Sequence, residues 1–200
     1  MEMRTIIFNN VFNDTSSVLN GTKTQMRCRA CCGDNEISFC TDKDDGLLTV
    51  FHNGYDIAKA NYKVGEVLQI GILQRLKEIE VYSAHVGDSK MIITEPPERY
   101  CKKTIPFSIQ ITRVTIERLK DISDDECFKD GVYRIGEKYG YEFCNSIEGN
   151  LVFQEVVFES PREAFASKIN EETGLNAWRS NPYMFVYDFK LIKDGTNEKR

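Results

Sequence analysis

The sequence predicts an α+β fold: a small, partly closed β-barrel with two or three short helices across its ends. Several segments alternate apolar and polar side chains or are rich in β-branched residues, as strands are. Two Ser-x-x-Glu boxes mark the starts of short helices. Strands and helices do not alternate in the order that a parallel sheet requires, which favours α+β over α/β.

The length and composition indicate one folded domain. The chain has 200 residues, of which 41% are hydrophobic and 28% are charged, enough to bury a core without cross-links. We place a single domain at residues 1–192 and a polar tail at 193–200. No apolar run approaches the length of a membrane span, and no apolar signal segment follows the first residues. The sequence therefore predicts a cytoplasmic protein with no membrane partner.

The first half of the chain is mainly strand. Alternation indicates the strands, and an Asp-Gly pair at Asp45 and Gly46 supplies the turn of a hairpin, which we treat as an insertion near 33–53. The one helix is weak, because serine, threonine and asparagine compete with its backbone hydrogen bonds. The predicted elements are a strand at Ile6–Phe8, a helix at 10–20, a strand at 22–29, a hairpin at 36–52 and a strand at 67–73.

The second half contains the better-defined helices. Ser123 and Ser160 each begin a capping box, and the second box has a proline at the first helical position. The predicted elements are a long polar loop near 83–104, a strand at 107–118, a helix from Ser123 to about Asp130, a helix from Ser160 to Gly174 and a strand at 183–192.

The charge is acidic overall and uneven along the chain. A net charge of −5 counts against a protein that coats duplex DNA by charge alone. Residues 1–30, 95–120 and 173–200 are nevertheless basic, at +2, +3 and +2, whereas residues 31–94 carry −4 and residues 121–172 carry −8. Basic segments that meet in space could form a local anion site.

The cysteines do not complete a metal site. Cys28, Cys31, Cys32 and Cys40 offer one C-x-x-C knuckle, but no second pair follows at zinc-site spacing. We expect free thiols, no metal and no cofactor.

Four stretches carry a recognisable pattern in a fixed order. They are Leu19–Arg27 (LNGTKTQMR), Tyr62–Leu68 (YKVGEVL), Val114–Ser123 continuing to Val132, and Trp178–Val186 (WRSNPYMFV). They resemble the G-x-K-T-x-T-R-R, Y-x-x-G-D-x-L, E-R-L-Q-D-I-S and W-x-x-N-P-[WY]-x-[WF]-V segments of the ASCH family. That family is a PUA-like β-barrel group, and the resemblance is strongest to its long phage and prophage branch.

The resemblance implies a cleft that binds RNA or nucleotides. One bacterial branch of the family hydrolyses N4-acetylcytidine with a lysine, a threonine and a glutamate. By the resemblance the lysine is Lys23 and the glutamate is replaced by Asp130, while Met26 stands where the threonine is expected. A thioether cannot replace a hydroxyl nucleophile. The candidate catalytic set is therefore Lys23, Thr24 and Asp130, and whether the protein catalyses a reaction stays open.

The implied ligand contacts are basic side chains and one aromatic. Lys23, Arg27 and Arg29 share strand parity and could face one anion. Trp178, the only tryptophan, could line the cleft. The expected RNA or nucleotide contacts are Lys23, Arg27, Arg29, Arg99, Lys102, Lys103 and Trp178.

Three functions remain open at this stage. The leading interpretation is an RNA- or nucleotide-binding domain in which catalysis is not established. The second is an amidohydrolase acting on an acylated nucleoside. The third is a protein-interaction module with a decayed pocket and an acidic contact face at 121–172.

Overall fold

A curled half-barrel sheet is the centre of an α+β structure that is mostly strand. The structure is a computed structural model. It describes residues 3–9, 12–31, 37–75, 100–147, 150–174 and 176–193.

The half-barrel has five strands. In order across the sheet they are β1 (Thr5–Ile7), β6 (Val67–Arg75), β7 (Tyr100–Arg118), β11 (Tyr183–Lys193) and β2 (Gln25–Cys31). Only β1 and β6 pair in parallel; the other neighbours are antiparallel. The register shifts in β6 near Ile70, and in β11 both between Tyr183 and Met184 and between Asp188 and Phe189. Such irregularities bend strands, which is consistent with the curl of the sheet.

Two three-stranded antiparallel sheets flank the half-barrel. The first consists of β3 (Ser38–Thr41), β4 (Leu48–His52) and β5 (Tyr55–Lys59), and the second of β8 (Tyr133–Ile135), β9 (Lys138–Ile147) and β10 (Asn150–Phe158). The middle strands are β4 and β9.

The described residues form four short α-helices, two of which have a side-chain N-cap. They are α1 (Asp14–Leu19), α2 (Asp124–Lys129), α3 (Pro161–Thr173) and α4 (Ala177–Ser180). Both halves of the Ser123–Glu126 capping box are formed at α2. The Ser160 side chain accepts a hydrogen bond from the backbone N–H of Glu163 at α3, and Gly174 ends α3 with φ +60°. No helix among the described residues combines the length and apolar character needed to cross a bilayer.

The two faces of β11 contribute to different cores. Phe185, Tyr187 and Phe189 pack inside the half-barrel, where Val50 of β4 joins them. Met184 points the other way and packs with residues of α2, α3 and β9. This split follows from the alternation of side chains along a strand. The helices are thereby held against the outer face of the half-barrel.

The structure corrects several predicted boundaries. The first helix begins at Asp14 rather than near 10, and β2 begins at Gln25, so Lys23 and Thr24 precede the strand. Residues 100–104, predicted as the end of a long loop, belong to β7 because they pair with β6. Residues 83–99 of that loop, including Arg99, lie outside the described residues, as does the tail from 194.

Candidate functional site

Five charged side chains meet beneath the helices, and we call them the ionic cluster. They are Asp14 of α1, Lys23 between α1 and β2, Arg27 of β2, Asp130 at the end of α2 and Lys168 of α3. All five side chains are at most 8% exposed. Buried charges are rarely tolerated unless they are paired, so the pairing within the cluster decides its chemistry.

Asp130 is the centre of the ionic cluster. One carboxylate oxygen lies 2.8 Å from Lys23 Nζ, and the other lies 2.5 Å from Arg27 Nη1. The backbone carbonyl of Asp130 accepts hydrogen bonds from both Lys23 Nζ, at 2.9 Å, and Lys168 Nζ, at 2.8 Å. A carboxylate at a helix C-terminus opposes the helix dipole, and here three cations offset that cost.

Asp14 is the second anion of the ionic cluster. Lys168 Nζ donates to its Oδ1 at 2.9 Å, and Lys23 Nζ lies 3.5 Å from its Oδ2. Each ammonium group therefore contacts both Asp14 and Asp130. With every group ionised, the five side chains would carry three positive and two negative charges.

Gly131 makes room for the ammonium group of Lys168. Its φ is +94°, in the region that favours glycine. A Cβ at this position would lie 3.1 Å from Lys168 Nζ and 3.7 Å from Asp14 Oδ1. Any larger residue would therefore push against the ionic cluster as well as strain the backbone.

The pairing keeps the central groups charged. Burial alone would raise the pKa of Asp130, but the charges of Lys23, Arg27 and Lys168 lower it to about 2. Burial would lower the pKa of Lys23, yet the neighbouring carboxylates of Asp130 and Asp14 raise it above its ordinary value. Burial and the nearby charge of Lys23 lower the pKa of Lys168. Lys23 is thus a held ammonium group rather than a ready base.

Arg27 connects the ionic cluster to aromatic residues and to Glu126. Its guanidinium carbon lies 5.5 Å from the ring centroid of Phe165, which in turn meets Trp178 edge-on at 6.2 Å. Within the described part of the chain, Nη2 of Arg27 is buried and has no hydrogen-bond acceptor. The closest charged partner recorded for this atom is Glu126 Oε1, at 3.9 Å. The other oxygen of Glu126 is held by Ser123 N and Oγ, each at 2.9 Å.

The predicted catalytic residues converge only in part. Lys23 and Asp130 are in direct contact, although 107 positions separate them in the chain. The backbone N–H of Thr24 donates to the carbonyl of Lys129, but among the described residues no hydrogen bond joins the Thr24 hydroxyl to Lys23 or Asp130. Met26 is packed in the core inside the half-barrel. The geometry therefore pairs the Asp130 carboxylate with Lys23, and neither group contacts the Thr24 hydroxyl.

The predicted binding residues fall into two groups. Arg29 is exposed on β2, two residues beyond Arg27, and Trp178 is half-buried behind Phe165. Lys102 and Lys103 are exposed near the start of β7, where they pair with β6. Val186 of β11 pairs with Arg27 of β2 on one side and with Thr115 of β7 on the other. The part of β7 between these lysines and Thr115 is roughly 40 Å long, measured along the strand. Lys102 and Lys103 therefore lie far along β7 from the level of Arg27.

Three charged residues of the site were not predicted from the sequence: Asp14, Glu126 and Lys168. A signal for Lys168 was present, because it follows Ala164 and Phe165 and precedes Ile169 on the buried face of α3. A lysine in an apolar stripe indicates a buried partner of opposite charge. No comparable local pattern marks Asp14.

The described residues show no group of three or more histidine, cysteine or acidic side chains placed to hold a metal ion. Cys40 is exposed on β3, and Cys32 of the predicted knuckle lies outside the described residues. Burial raises the pKa of the Cys28 thiol to about 11, so this cysteine is a poor nucleophile at neutral pH.

Comparisons of the chain with known protein families, with curated proteins and with solved structures found no match.

Proposed function

We propose that this chain is an ASCH-type, PUA-like domain that binds RNA or a nucleotide beside the ionic cluster. The observation that carries the proposal is the contact between Lys23 and Asp130 at 2.8 Å. These are the two residues that the family resemblance assigns to the pocket, and they come from motifs more than 100 positions apart. The half-barrel sheet is compatible with a PUA-like fold.

The free-energy cost of burying the ionic cluster supports a functional role for it. Removing five charged side chains from water carries a large desolvation penalty, and well-packed apolar residues often stabilise a fold as much or more. Charged clusters with shifted pKa values are also enriched at functional sites. Burial of the whole ionic cluster therefore favours a functional site over a purely structural core.

The surroundings of Arg27 suit a nucleotide. Trp178, which is half-buried, lies edge-on to the buried ring of Phe165 beside the Arg27 guanidinium group, and Nη2 of Arg27 has no hydrogen-bond acceptor among the described residues. Arg29 lies two residues further along β2 and is exposed, a suitable position for a phosphate contact.

The test measures fluorescence anisotropy of a labelled RNA trinucleotide, which is too short to reach from Arg29 to Lys102. We expect Arg29→Ala to weaken binding severalfold and to reduce its salt dependence, because one phosphate contact is lost. Lys102→Ala is the matched control and should leave binding unchanged. The proposal fails if neither RNA nor nucleotides bind, or if only Lys102→Ala weakens binding.

An amidohydrolase acting on N4-acetylcytidine is the second candidate, favoured by the same Lys23–Asp130 contact. Its difficulty is that Lys23 is held as an ammonium group by two carboxylates and the Thr24 hydroxyl bonds to neither Lys23 nor Asp130. The assay is release of acetate from N4-acetylcytidine by the wild type and by Thr24→Val. No release by the wild type would remove this candidate, and equal release by both proteins would remove Thr24 as its nucleophile.

A further inference from the structure

The strand β10 forms a long edge of the sheet made by β8, β9 and β10. Among the described residues β10 pairs only with β9, so no described strand pairs with its other side. Its residues Asn150–Phe158 span about 30 Å, which is long enough for an extended segment to pair along it. Val156 and Phe158 pack with the core beneath the helices, so the strand is anchored on one face.

The side chains on the opposite face of β10 are apolar and acidic. Phe153, Glu155 and Val157 alternate with the residues that pack inward, and all three are exposed. Phe153 is 48% exposed and Val157 is 43% exposed, with the carboxylate of Glu155 between them. An unpaired edge that also exposes large apolar side chains is suited to the addition of another strand.

Glu155 lies directly opposite a second carboxylate, that of Glu142 in β9. Like charges at directly opposite positions of an antiparallel pair destabilise a sheet. Glu142 accepts a hydrogen bond from Asn13 Nδ2, and Glu155 Oε1 accepts one from the Tyr133 hydroxyl at 3.2 Å. Both donors are neutral, and neither carboxylate forms an ion pair with a described lysine or arginine. The two negative charges are therefore not neutralised within the described part of the chain.

The side chain of Tyr133 shows that this face is locally negative. Tyr133 pairs with Gly140, which pairs with Val157, so Tyr133 lies beside the exposed face of β10. Burial and the charges of Glu155 and Glu142 raise the pKa of Tyr133. A cation beside Glu155 would offset this negative charge.

We propose that β10 binds an extended segment of a partner protein, with a lysine or arginine opposite Glu155 and apolar side chains opposite Phe153 and Val157. The backbone of that segment extends the sheet by one strand, and its cation relieves the repulsion between Glu142 and Glu155. An arginine suits this position, because its guanidinium group can donate to both carboxylates.

The charges distinguish this occupant from two others. A second copy of this chain that paired through its own β10 would add two more carboxylates to the same face. RNA would bring phosphates against Glu142 and Glu155, and like charges repel. The edge lies within the acidic segment 121–172, and the inference does not depend on nucleotide binding.

The test measures fluorescence anisotropy of labelled short peptides in which valine and threonine alternate around one central arginine. A second peptide has citrulline at the centre, and a third has proline in place of every threonine, which removes backbone donors. We expect the arginine peptide to bind about tenfold more tightly than the citrulline peptide, the effect of one hydrogen bond between charged groups. Its affinity should fall as salt is added.

Glu155→Gln should weaken binding of the arginine peptide about tenfold and leave the citrulline peptide unchanged. Glu137→Gln is the matched control, because it removes one exposed charge from the turn between β8 and β9 of the same sheet. It should leave both affinities unchanged.

Two further measurements on the full chain check the position and the repulsion. The arginine peptide should slow hydrogen exchange of the backbone amides of Asn150–Phe158, because these amides gain a strand neighbour. In the absence of peptide, Glu155→Gln should raise the urea midpoint, because one of two opposed like charges is removed.

Several results would overturn the inference. Equal affinity for the arginine and citrulline peptides would remove the role of charge, and equal affinity for the proline peptide would remove strand pairing. Unchanged exchange in β10 would place the peptide elsewhere. A lower urea midpoint for Glu155→Gln would show that Glu155 supports the fold, and a dimer that Val157→Lys dissociates would assign the edge to a second copy.

Discussion

Replacing Asp130 by asparagine tests whether the ionic cluster is held together by that carboxylate. The change keeps the size of the side chain and removes one negative charge that contacts Lys23 at 2.8 Å and Arg27 at 2.5 Å. Lys23 would then keep Asp14 as its ion-pair partner, and Arg27 would keep only the more distant Glu126 at 3.9 Å. We expect Asp130→Asn to lower the free energy of unfolding at neutral pH.

The size of the loss follows from the pKa of Asp130. Its folded pKa of about 2 lies below the ordinary value of 3.8, and each unit corresponds to about 1.4 kcal/mol. That difference is about 2–3 kcal/mol, and loss of one partner from a buried ion pair typically costs about 3–5 kcal/mol. We therefore expect a loss of about 3 kcal/mol at pH 7.

The loss should depend on pH in one direction. A folded pKa below the unfolded value means that the ionised carboxylate stabilises the fold fully above the unfolded pKa, near 4, and loses that effect as pH falls towards 2. The wild type should therefore approach the variant in stability on acidification, because its own Asp130 becomes protonated.

Urea unfolding followed by Trp178 fluorescence measures this difference, since Trp178 packs against Phe165 beside Arg27. Asp125→Asn, an exposed change on the same helix, is the control and should have little effect. A stability difference that stays the same between about pH 7 and pH 3, or one no larger than that of the control, would refute the reasoning.

Two further predictions concern the same cluster. Gly131→Ala should cost about 1–3 kcal/mol, because it adds contact with Lys168 Nζ at 3.1 Å to the strain at φ +94°. Gly136→Ala is the control, because Gly136 has φ +63° with open space around it and should show the backbone cost alone. Thermal melts in which both variants lose the same stability would contradict a cost from the contact with Lys168. In a double-mutant cycle of Asp14→Asn and Lys168→Met, we expect a coupling of about 1–3 kcal/mol from urea unfolding, since the two groups are 2.9 Å apart. Additive losses would show that Asp14 and Lys168 do not depend on each other.

Short-range features were predictable from the sequence. Ser123 with Glu126, and Ser160 with Pro161, define helix starts through bonds within one turn, and both helices begin there. The strand predicted at 183–192 is likewise confirmed as β11, because its alternation reports one buried face. Each of these signals depends only on neighbours within a few residues.

The sheet formed by β8, β9 and β10 was not predicted from such local signals. No strand was predicted between 132 and 159, although Tyr139, Tyr141 and Phe143 alternate along β9 and pack with the helices. The strands of this sheet contain acidic and basic side chains and have a lower share of β-branched residues than the segment 107–118. The long loop was predicted to extend to residue 104 for a related reason, because a polar strand such as 100–104 is recognised by its pairing with β6.

The helix caps and the main strand faces were predictable from local sequence patterns, and the family resemblance pointed to the candidate pair Lys23 and Asp130. The fold was needed to show that Asp14 and Lys168 complete their environment, and that Lys102 and Lys103 lie far along β7 from Arg27. The physical reason is that helix caps and alternation act over a few residues. A buried charge is stable only where distant segments supply its counter-charges, and that arrangement exists only after the chain has folded.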